Sequence, residues 1–170
     1  IDPPAAAPVA TAMIIENGDV GFSQTGFSYL SNAQVADAVA GDVFELRGGT
    51  GIATWKFDNV SPGEYQIATT WSGRYDNKYN ATDAPYTVRD GSGNVLADVS
   101  VDQTTTPSDY EDAGVTWTVL ATVTASDGTI TVSLSGGSNA NRYVVADAVR
   151  LVKVSTDSVV EDSPAAPVTP

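Results

Sequence analysis

Alternating apolar and polar residues dominate the middle of the chain. Residues 51–57 place Ala53, Trp55 and Phe57 on one face, and residues 65–71, 115–124 and 129–135 repeat the pattern. Successive side chains of a strand point to opposite faces, so a period of two predicts strands that are buried on one side. Turn sequences such as Asp127-Gly128 separate these stretches.

Further strands are predicted at residues 13–16, 26–30, 43–47, 86–89 and 95–101. Residues 31–40 have a helix-compatible composition without an apolar stripe, which predicts a loop or a short helical turn. Many short strands, abundant Thr, Val and Gly, and no convincing helix are typical of an antiparallel β-sandwich. We therefore predict an all-β fold for residues 12–154.

The run YVVADAVRLV at residues 143–152 is apolar on both faces and contains one carboxylate. A strand of this kind is usually central in its sheet. Alternation places Asp147 among core-facing neighbours, where an unpaired carboxylate would be costly. A cation, an arginine or several backbone N–H groups would each satisfy it, and the sequence leaves these alternatives open.

The charge balance excludes several classes of partner. Lys and Arg total 8 against 21 Asp and Glu, for a net charge of −13. Nucleic acid and anionic membranes both favour a basic surface, so neither is expected as a partner. The chain has neither Cys nor His, which removes disulfides, thiolate chemistry and Ser-His-Asp catalysis. No apolar run approaches the length of a membrane span.

Both ends of the chain differ in composition from the middle. Residues 1–11 are rich in Pro and Ala, and residues 155–170 combine the same composition with acidic residues. Such segments are typical of semi-rigid linkers. They predict a module, expected to be monomeric, that is covalently linked to other domains of a longer chain.

Three stretches in the correct order resemble a known family. They are IIENGDVGFSQTG at residues 14–26, ATDAPYTV at 81–88 and YVVADAVRLV at 143–152. Together they resemble the golvesin C-terminal-like domain, also called the xanthan-lyase carbohydrate-binding-module-like domain, and Trp71 and Trp117 fall where that family tends to have tryptophan. The resemblance implies a galactose-binding-like jelly roll without catalytic machinery, attached to secreted bacterial enzymes or surface proteins. Residues 31–47 and the loop at 74–80 depart from the family pattern.

The resemblance also implies a structural calcium ion. Related sandwich modules often bind calcium between the end of the first strand and an Asp in the last one. The matching positions here are Glu16, with Asn17 or Asp19 nearby, and Asp147. Carboxylate, amide and carbonyl oxygens are the ligands that calcium prefers. The alternative is that Asp147 bonds only to protein groups and that residues 17–19 form a simple turn.

The loop at residues 72–84 is the candidate ligand-binding surface. Sugar rings stack on aromatic side chains, and Arg and Asn side chains bond their hydroxyl groups, so a loop that mixes these types is a candidate glycan platform. The candidate residues, with one tyrosine from a facing loop, are Trp71, Arg74, Tyr75, Asn77, Tyr79, Asn80 and Tyr110. The alternative is that Trp71 belongs to the core and the tyrosines cover the edge of the sandwich. Trp55 and Trp117 lie in alternating strands and are predicted to be core residues.

Two features of the acidic residues do not predict a function. Asp102, Asp109, Glu111 and Asp112 lack the spacing of a calcium-binding loop and are expected to form a solvated acidic surface. With 21 acidic residues some pair is always close together, so proximity of two carboxylates does not predict a glycosidase. The sequence therefore predicts a non-catalytic, extracellular or cell-surface module that binds polysaccharide. The alternative is a structural, adhesive or protein-docking domain with no sugar ligand.

Overall fold

A computed structural model describes residues 11–155, which form thirteen β-strands and two short 3-10 helices. The strands are β1 (Met13–Ile15), β2 (Phe22–Thr25), β3 (Ser28–Leu30), β4 (Val43–Arg47), β5 (Ile52–Asp58), β6 (Gly63–Thr70), β7 (Ala84–Asp90), β8 (Val95–Val101), β9 (Tyr110–Asp112), β10 (Val115–Ala125), β11 (Thr129–Ser135), β12 (Tyr143–Ala146) and β13 (Ala148–Lys153). The helices, Ala33–Val35 and Val39–Gly41, lie in the segment predicted as a loop or helical turn. Neither is long or apolar enough to cross a membrane. The predicted linkers lie outside the described residues, apart from Thr11 and Ser155.

The strands form three antiparallel sheets. Two sheets have five strands each, in the orders β1-β13-β6-β10-β9 and β2-β5-β11-β7-β8. The third has three strands in the order β12-β4-β3. The predicted all-β antiparallel sandwich is confirmed.

One large hydrophobic core joins the inner faces of all three sheets. Its fully buried members include Trp55 on β5, Ile67 on β6, Val144 on β12 and Leu151 on β13. Burial alternates along β5 as the sequence pattern predicted. Ala53, Trp55 and Phe57 are buried, whereas their neighbours are not. Trp117 is also buried, but in a separate small cluster with Ala68 and Ala148.

The stretch at residues 143–152 is two strands rather than one. Ala146 at the end of β12 pairs with Phe44 of the three-stranded sheet, whereas Ala148 at the start of β13 pairs with Thr70 of a five-stranded sheet. The chain changes sheets at Asp147, as strands do at the corners of sandwiches. The carbonyl oxygen of Asp147 accepts a hydrogen bond from Trp55 Nε1 at 3.3 Å, which is not one of the strand-pairing bonds of either sheet.

Two short strands, β2 and β9, were not predicted from the sequence. β9 pairs with β10 through residues such as Glu111, which lies opposite Thr116. Its composition of Tyr, Glu and Asp gives no strand signal, because the pairing is supplied by the neighbouring long strand. The acidic segment around it is therefore partly a sheet edge rather than only a loop.

Candidate functional site

An open cleft of about 350 Å³ lies beside the tyrosine-bearing loop. Its lining consists of Arg47, Arg74, Tyr75, Tyr79, Asn141 and Tyr143. Three of these residues are among the predicted candidates, and the other three come from β4, from the loop before β12 and from β12 itself. The cleft is the place where the 74–80 loop meets the three-stranded sheet.

The loop that carries the two tyrosines is a left-handed turn. Tyr75, Asp76 and Asn77 have φ values of 53°, 54° and 65° in succession. For residues other than glycine this conformation costs roughly 1–2 kcal/mol each, and it persists only where surrounding contacts impose it. Backbone strain of this kind collects at functional loops.

Buried side-chain amides impose this conformation on the loop. Asn77 Oδ1 accepts a bond from the backbone N–H of Gly73 at 2.6 Å and from Asn80 Nδ2 at 3.1 Å. Asn80 Nδ2 also donates to the carbonyl of Gln103 at 3.0 Å. A side chain at residue 73 would collide with the Asn80 amide, so only glycine fits there. Asn77 and Asn80, predicted to contact a ligand, are instead buried supports of the loop.

Gln103 connects this loop to the core. Its side chain is fully buried; Nε2 donates to the Val145 carbonyl at 2.8 Å, and Oε1 accepts from the Val145 N–H at 2.9 Å. The Gln103 amide thus bonds to both backbone groups of Val145, as a neighbouring strand would. Gln103 Nε2 donates to Tyr86 Oη as well, at 3.2 Å. A polar network whose members are all paired is rigid, so the loop is held in one geometry.

The start of β12 fixes the other end of the loop. The N–H of Tyr143 donates to the Tyr79 carbonyl at 2.9 Å, and the Tyr143 carbonyl accepts from Ala81 N at 2.7 Å. Arg142 Nη1 donates to the Lys78 carbonyl at 2.7 Å. These bonds hold Tyr143 beside the loop, and Tyr143 lines the same cleft as Tyr75 and Tyr79.

The exposed aromatic rings give the cleft its apolar surface. Tyr75 is 58% exposed and Tyr79 is 45% exposed, and their rings meet edge to face with centroids 5.4 Å apart. In edge-to-face packing, the edge of one ring covers part of one face of the other ring, so the remaining ring faces stay open. Such faces can stack against the C–H groups of a sugar ring.

Two guanidinium groups supply hydrogen-bond donors to the same cleft. Arg74 is held by Glu45, with Nη2 at 2.7 Å and Nε at 3.1 Å from Oε1. This pairing raises the pKa of Arg74, chiefly through the hydrogen bond to Glu45. Arg47 is paired with Tyr143 in the strand register and lies 5.7 Å from the centre of its ring. Arg74 lies 5.8 Å from the centre of the same ring.

Two other predicted residues lie away from the cleft lining. Trp71 is 3% exposed, and its indole N–H donates to the carbonyls of Gln103 and Thr105. It belongs to the core, the alternative that the sequence left open, and its ring offers no face to a ligand. Tyr110 on β9 packs in the small cluster around Trp117, where its hydroxyl accepts a bond from Arg150 Nη1 at 3.1 Å.

Sequence reasoning did not identify Arg47, Asn141 or Tyr143 as cleft residues. Tyr143 and Arg47 are neighbours only through the register of β12 on β4. An arginine at the end of one predicted strand and a tyrosine at the start of another carry no signal until the two strands are paired. The alternation of each strand is visible in the sequence, but their register is not.

A second groove, of about 330 Å³, lies along the pair β7 and β8. Its lining residues are Pro85, Tyr86, Thr87, Asp98, Val99 and Ser100. It contains no arginine or lysine, and Tyr86 is 1% exposed. This groove lacks the combination of open rings and donors that marks the cleft.

The predicted calcium residues form a separate acidic group where the first strand ends. Asp147 Oδ2 accepts the N–H of Val39 at 3.1 Å, whereas Asp147 Oδ1 is buried and has no partner within residues 11–155. The Oδ1 atom of Asn17 is likewise buried without a partner in that range. Asn17 Nδ2 donates to Asp42 Oδ1 at 2.6 Å, which adds a carboxylate that the sequence did not suggest.

The electrostatics of this group are unfavourable for a bare carboxylate. Burial raises the pKa of Asp147 well above its ordinary value, and the nearby charges of Asp42 and Glu16 raise it further. The Val39 N–H acts in the opposite direction. Burial also raises the pKa of Glu16, with contributions from Asp19 and Asp42.

The acidic group fits a cation only if amide and carbonyl oxygens take part. Within residues 11–155, no three acidic side chains are arranged so that they alone could hold a metal ion. Calcium, however, also accepts amide and backbone carbonyl oxygens beside carboxylates. The two unpaired oxygens of Asn17 and Asp147 are of the required type. Asp19 is exposed, and its Oδ2 accepts the N–H of Glu16 at 3.0 Å.

The family of the chain is decided by a match to a family model. The model of the golvesin C-terminal domain matches residues 13–153. The chain belongs to this family. The match confirms the resemblance that three stretches of the sequence indicated, and it spans all strands from β1 to β13. No curated protein matches the chain by sequence.

Solved structures share the fold of this golvesin C-terminal domain. A xanthan lyase from Paenibacillus is 28% identical with a TM-score of 0.66, over 86% of this chain and 13% of the lyase. The family 35 carbohydrate-binding module of Abf62 from Cellvibrio japonicus is 15% identical with a TM-score of 0.58, over 85% of this chain and 95% of the module. A family 35 module from Clostridium thermocellum is 13% identical with a TM-score of 0.55, over 85% of this chain and 100% of the module. The golvesin C-terminal domain therefore has the jelly-roll fold of carbohydrate-binding modules and corresponds to only about an eighth of the lyase.

Proposed function

We propose that this golvesin C-terminal domain is a non-catalytic carbohydrate-binding module whose saccharide lies in the cleft at the 74–80 loop. The observation that supports this most strongly is the pair of exposed rings, Tyr75 and Tyr79, on a loop held in a strained left-handed turn. Such a conformation requires a buried network to maintain it, and it presents two apolar rings to solvent. An exposed aromatic surface on a rigid scaffold is typical of a binding site.

The mode of binding follows from the lining of the cleft. The rings of Tyr75 and Tyr79 would stack on the C–H faces of a sugar, while Asn141 and the free edge of Arg74 would donate to its hydroxyl groups. An open cleft buries little of its ligand, so a single module is expected to bind weakly. Linkage to other domains would raise the overall affinity.

The neighbours support the proposal at the level of the protein class. Two of them are named carbohydrate-binding modules and match this chain over nearly their whole length. The xanthan lyase is matched over 13% of its length. We accordingly propose that the domain belongs to a longer extracellular or cell-surface bacterial protein and holds it near polysaccharide.

A broad polysaccharide panel that includes xanthan tests this function. The expected result is binding that Tyr79→Ala abolishes without a change in melting temperature. Tyr29→Ala is the matched control, because Tyr29 is a 60% exposed tyrosine on β3 that does not line the cleft. Absence of binding by the parent domain across the panel would overturn the proposal and favour a structural or protein-docking role.

We also propose that a calcium ion is held by Glu16, Asn17 and Asp147, with Asp42 close enough to contribute. When bound, the ion would supply positive charge to the two buried oxygens that have no partner within residues 11–155. Its role would be structural, because it would connect the end of β1 to the junction of β12 and β13. Calorimetric titration of EDTA-treated protein tests this; binding that Asp147→Asn abolishes is expected, and absence of heat with wild-type protein would contradict it.

A further inference from the structure

Positive charge is concentrated at the cleft in an otherwise acidic protein. The chain has 8 Lys and Arg residues and a net charge of −13. Four of the eight lie in the cleft or on the loops that build it, namely Arg47, Arg74, Lys78 and Arg142. The acidic residues among these elements are the buried Glu45 and the exposed Asp76. The cleft is thus a cationic surface on a strongly anionic molecule.

These four cations differ in how far the protein itself neutralises them. Arg74 is paired with Glu45, and Arg142 donates to the carbonyls of Lys78 and Asn80. Lys78 lies over the ring of Tyr79, with Nζ 5.6 Å from its centre. Arg47 is exposed and has no carboxylate partner within residues 11–155. Arg74, which lines the cleft, uses Nε and Nη2 for Glu45, so Nη1 is not engaged in this pairing.

The two arginines lie against the same aromatic ring of the cleft. Each guanidinium lies within 6 Å of the centre of the Tyr143 ring, at 5.7 Å and 5.8 Å. Both arginines line the cleft, so an oxyanion held there would be favoured by their positive charge. Guanidinium groups bind carboxylates and related oxyanions in a planar, often bidentate manner.

We propose that the cleft selects acidic saccharides, with a carboxylate or sulfate group bound by the arginines of the cleft, Arg47 and Arg74, and the sugar ring against Tyr75 and Tyr79. This inference rests on the proposed carbohydrate-binding function and specifies its substrate class. The net charge of −13 repels every long polyanion outside the cleft, so an acidic polysaccharide is expected to bind only through the contacts of its sugar ring and its oxyanion within the cleft. Arg47 is the specificity-determining residue, since its charge has no carboxylate partner within the described residues.

The test compares polysaccharides that differ only in charge. The domain is titrated with uronate polysaccharides of several backbones, each alongside its carboxyl-reduced form in which the carboxylate is a hydroxymethyl group. Sulfated polysaccharides and single-stranded DNA complete the set. At least tenfold tighter binding of an acidic form than of its reduced form is expected, and this preference should diminish as salt is added. Preference for a sulfated polysaccharide would support the oxyanion site and identify sulfate as the group that it binds.

Three other outcomes are distinguishable. Equal affinity for acidic and reduced forms would overturn the acidic selectivity while leaving carbohydrate binding intact. No binding of any polysaccharide would overturn the proposed function and this inference together. Binding of DNA as tightly as acidic polysaccharide would show a general polyanion surface and would also overturn the inference.

Arg47→Gln assigns the selectivity to one residue. It should weaken binding of the acidic form by about tenfold or more, the usual range for a hydrogen bond to a charged group, and should weaken binding of the reduced form much less. Arg89→Gln is the control, because Arg89 is exposed on β7 and the substitution changes the net charge equally. Equal losses in the two variants would mean that total charge, rather than the cleft, determines affinity.

Discussion

The fold supplies hydrogen-bond partners for the buried polar groups below the tyrosine loop, but it does not supply them for all of the buried polar groups around Asp147. Below the loop, the amides of Asn77, Asn80 and Gln103 find partners in one another and in the backbone. Around Asp147, one oxygen of that carboxylate and the Oδ1 atom of Asn17 have none within residues 11–155. The first region is complete without a ligand, whereas the second has the composition of a group that needs a cation or a proton.

This difference explains what each region can do. A fully paired network keeps the rings of Tyr75 and Tyr79 in place before any saccharide arrives, so little ordering is needed on binding. An incompletely paired acidic group instead makes the stability of the fold depend on pH and on bound ions. The loop is suited to recognition, and with the proposed cation the acidic group would connect the end of β1 to the junction of β12 and β13.

The largest effect on stability is expected at Gln103. Gln103→Ala should lower the free energy of unfolding by about 3 kcal/mol, because both backbone groups of Val145 lose their partners and a cavity forms. Chemical denaturation measures this change. Gln66→Ala on the half-buried face of β6 should stay within about 0.5 kcal/mol. Similar values for the two variants would show that the network below the loop does not hold it.

A smaller effect is expected at Asn80. Asn80→Ala removes the bonds to Asn77 and to the Gln103 carbonyl and should cost about 2 kcal/mol. It should also weaken saccharide binding, although the side chain does not line the cleft, because the left-handed turn loses its support. Asn94→Ala in the β7–β8 hairpin, which also removes an asparagine bond, is the control. Unchanged saccharide affinity in Asn80→Ala would show that the buried amide network is not needed for binding.

At Asp147 the effect depends on pH and on calcium. Its pKa is raised in the folded state, so the folded protein binds this proton more tightly than the unfolded chain does. In EDTA, the contribution of Asp147 to stability should therefore fall as pH rises from its unfolded value of about 4 through the folded pKa. The proposed calcium ion would bind the ionised form and should cancel or reverse this trend.

Comparison of wild type with Asp147→Asn isolates this contribution from other acids, such as Asp83 and Asp127, whose pKa values are lowered. At neutral pH in EDTA, the variant should be the more stable protein by about 1–3 kcal/mol, the range for a buried group without a partner. With calcium the order should reverse. A wild type that is the more stable protein in EDTA at every pH would argue that protein groups alone satisfy Asp147.

The smallest effect on stability is expected at the exposed rings. Tyr75→Ala should change the free energy of unfolding by less than about 1 kcal/mol, because the side chain is 58% exposed. Thermal melts check this directly. The same variant should nevertheless lose most of its saccharide affinity. A large loss of stability would show that Tyr75 covers the fold rather than a ligand.

The sequence predicted most of the fold because burial in a sandwich follows the period of two. β4 and β8 have the predicted bounds, and Ala53, Trp55 and Phe57 are buried as alternation requires. The same rule failed at Asp147, where an unbroken apolar run spans two strands. Alternation indicates which residues are extended, but it does not indicate which sheet they join.

The site was predictable only as far as it lies on one contiguous segment. The 74–80 loop contains Arg74, Tyr75 and Tyr79, and its unusual composition identified it. Composition could not separate Tyr79, which faces the cleft, from Asn80, whose amide is buried beneath it. Arg47 and Asp42 enter their sites through strand pairing and loop packing, which no local pattern encodes.

The most direct test of the account is to map the binding surface by NMR. Backbone amide shifts would be followed while the domain is titrated with fragments of the polysaccharide that binds it best. Perturbations are expected at Arg47, at residues 74–80 and at residues 141–143, which surround the cleft. Perturbations confined to the groove between β7 and β8, or to the acidic group at Asp147, would contradict it.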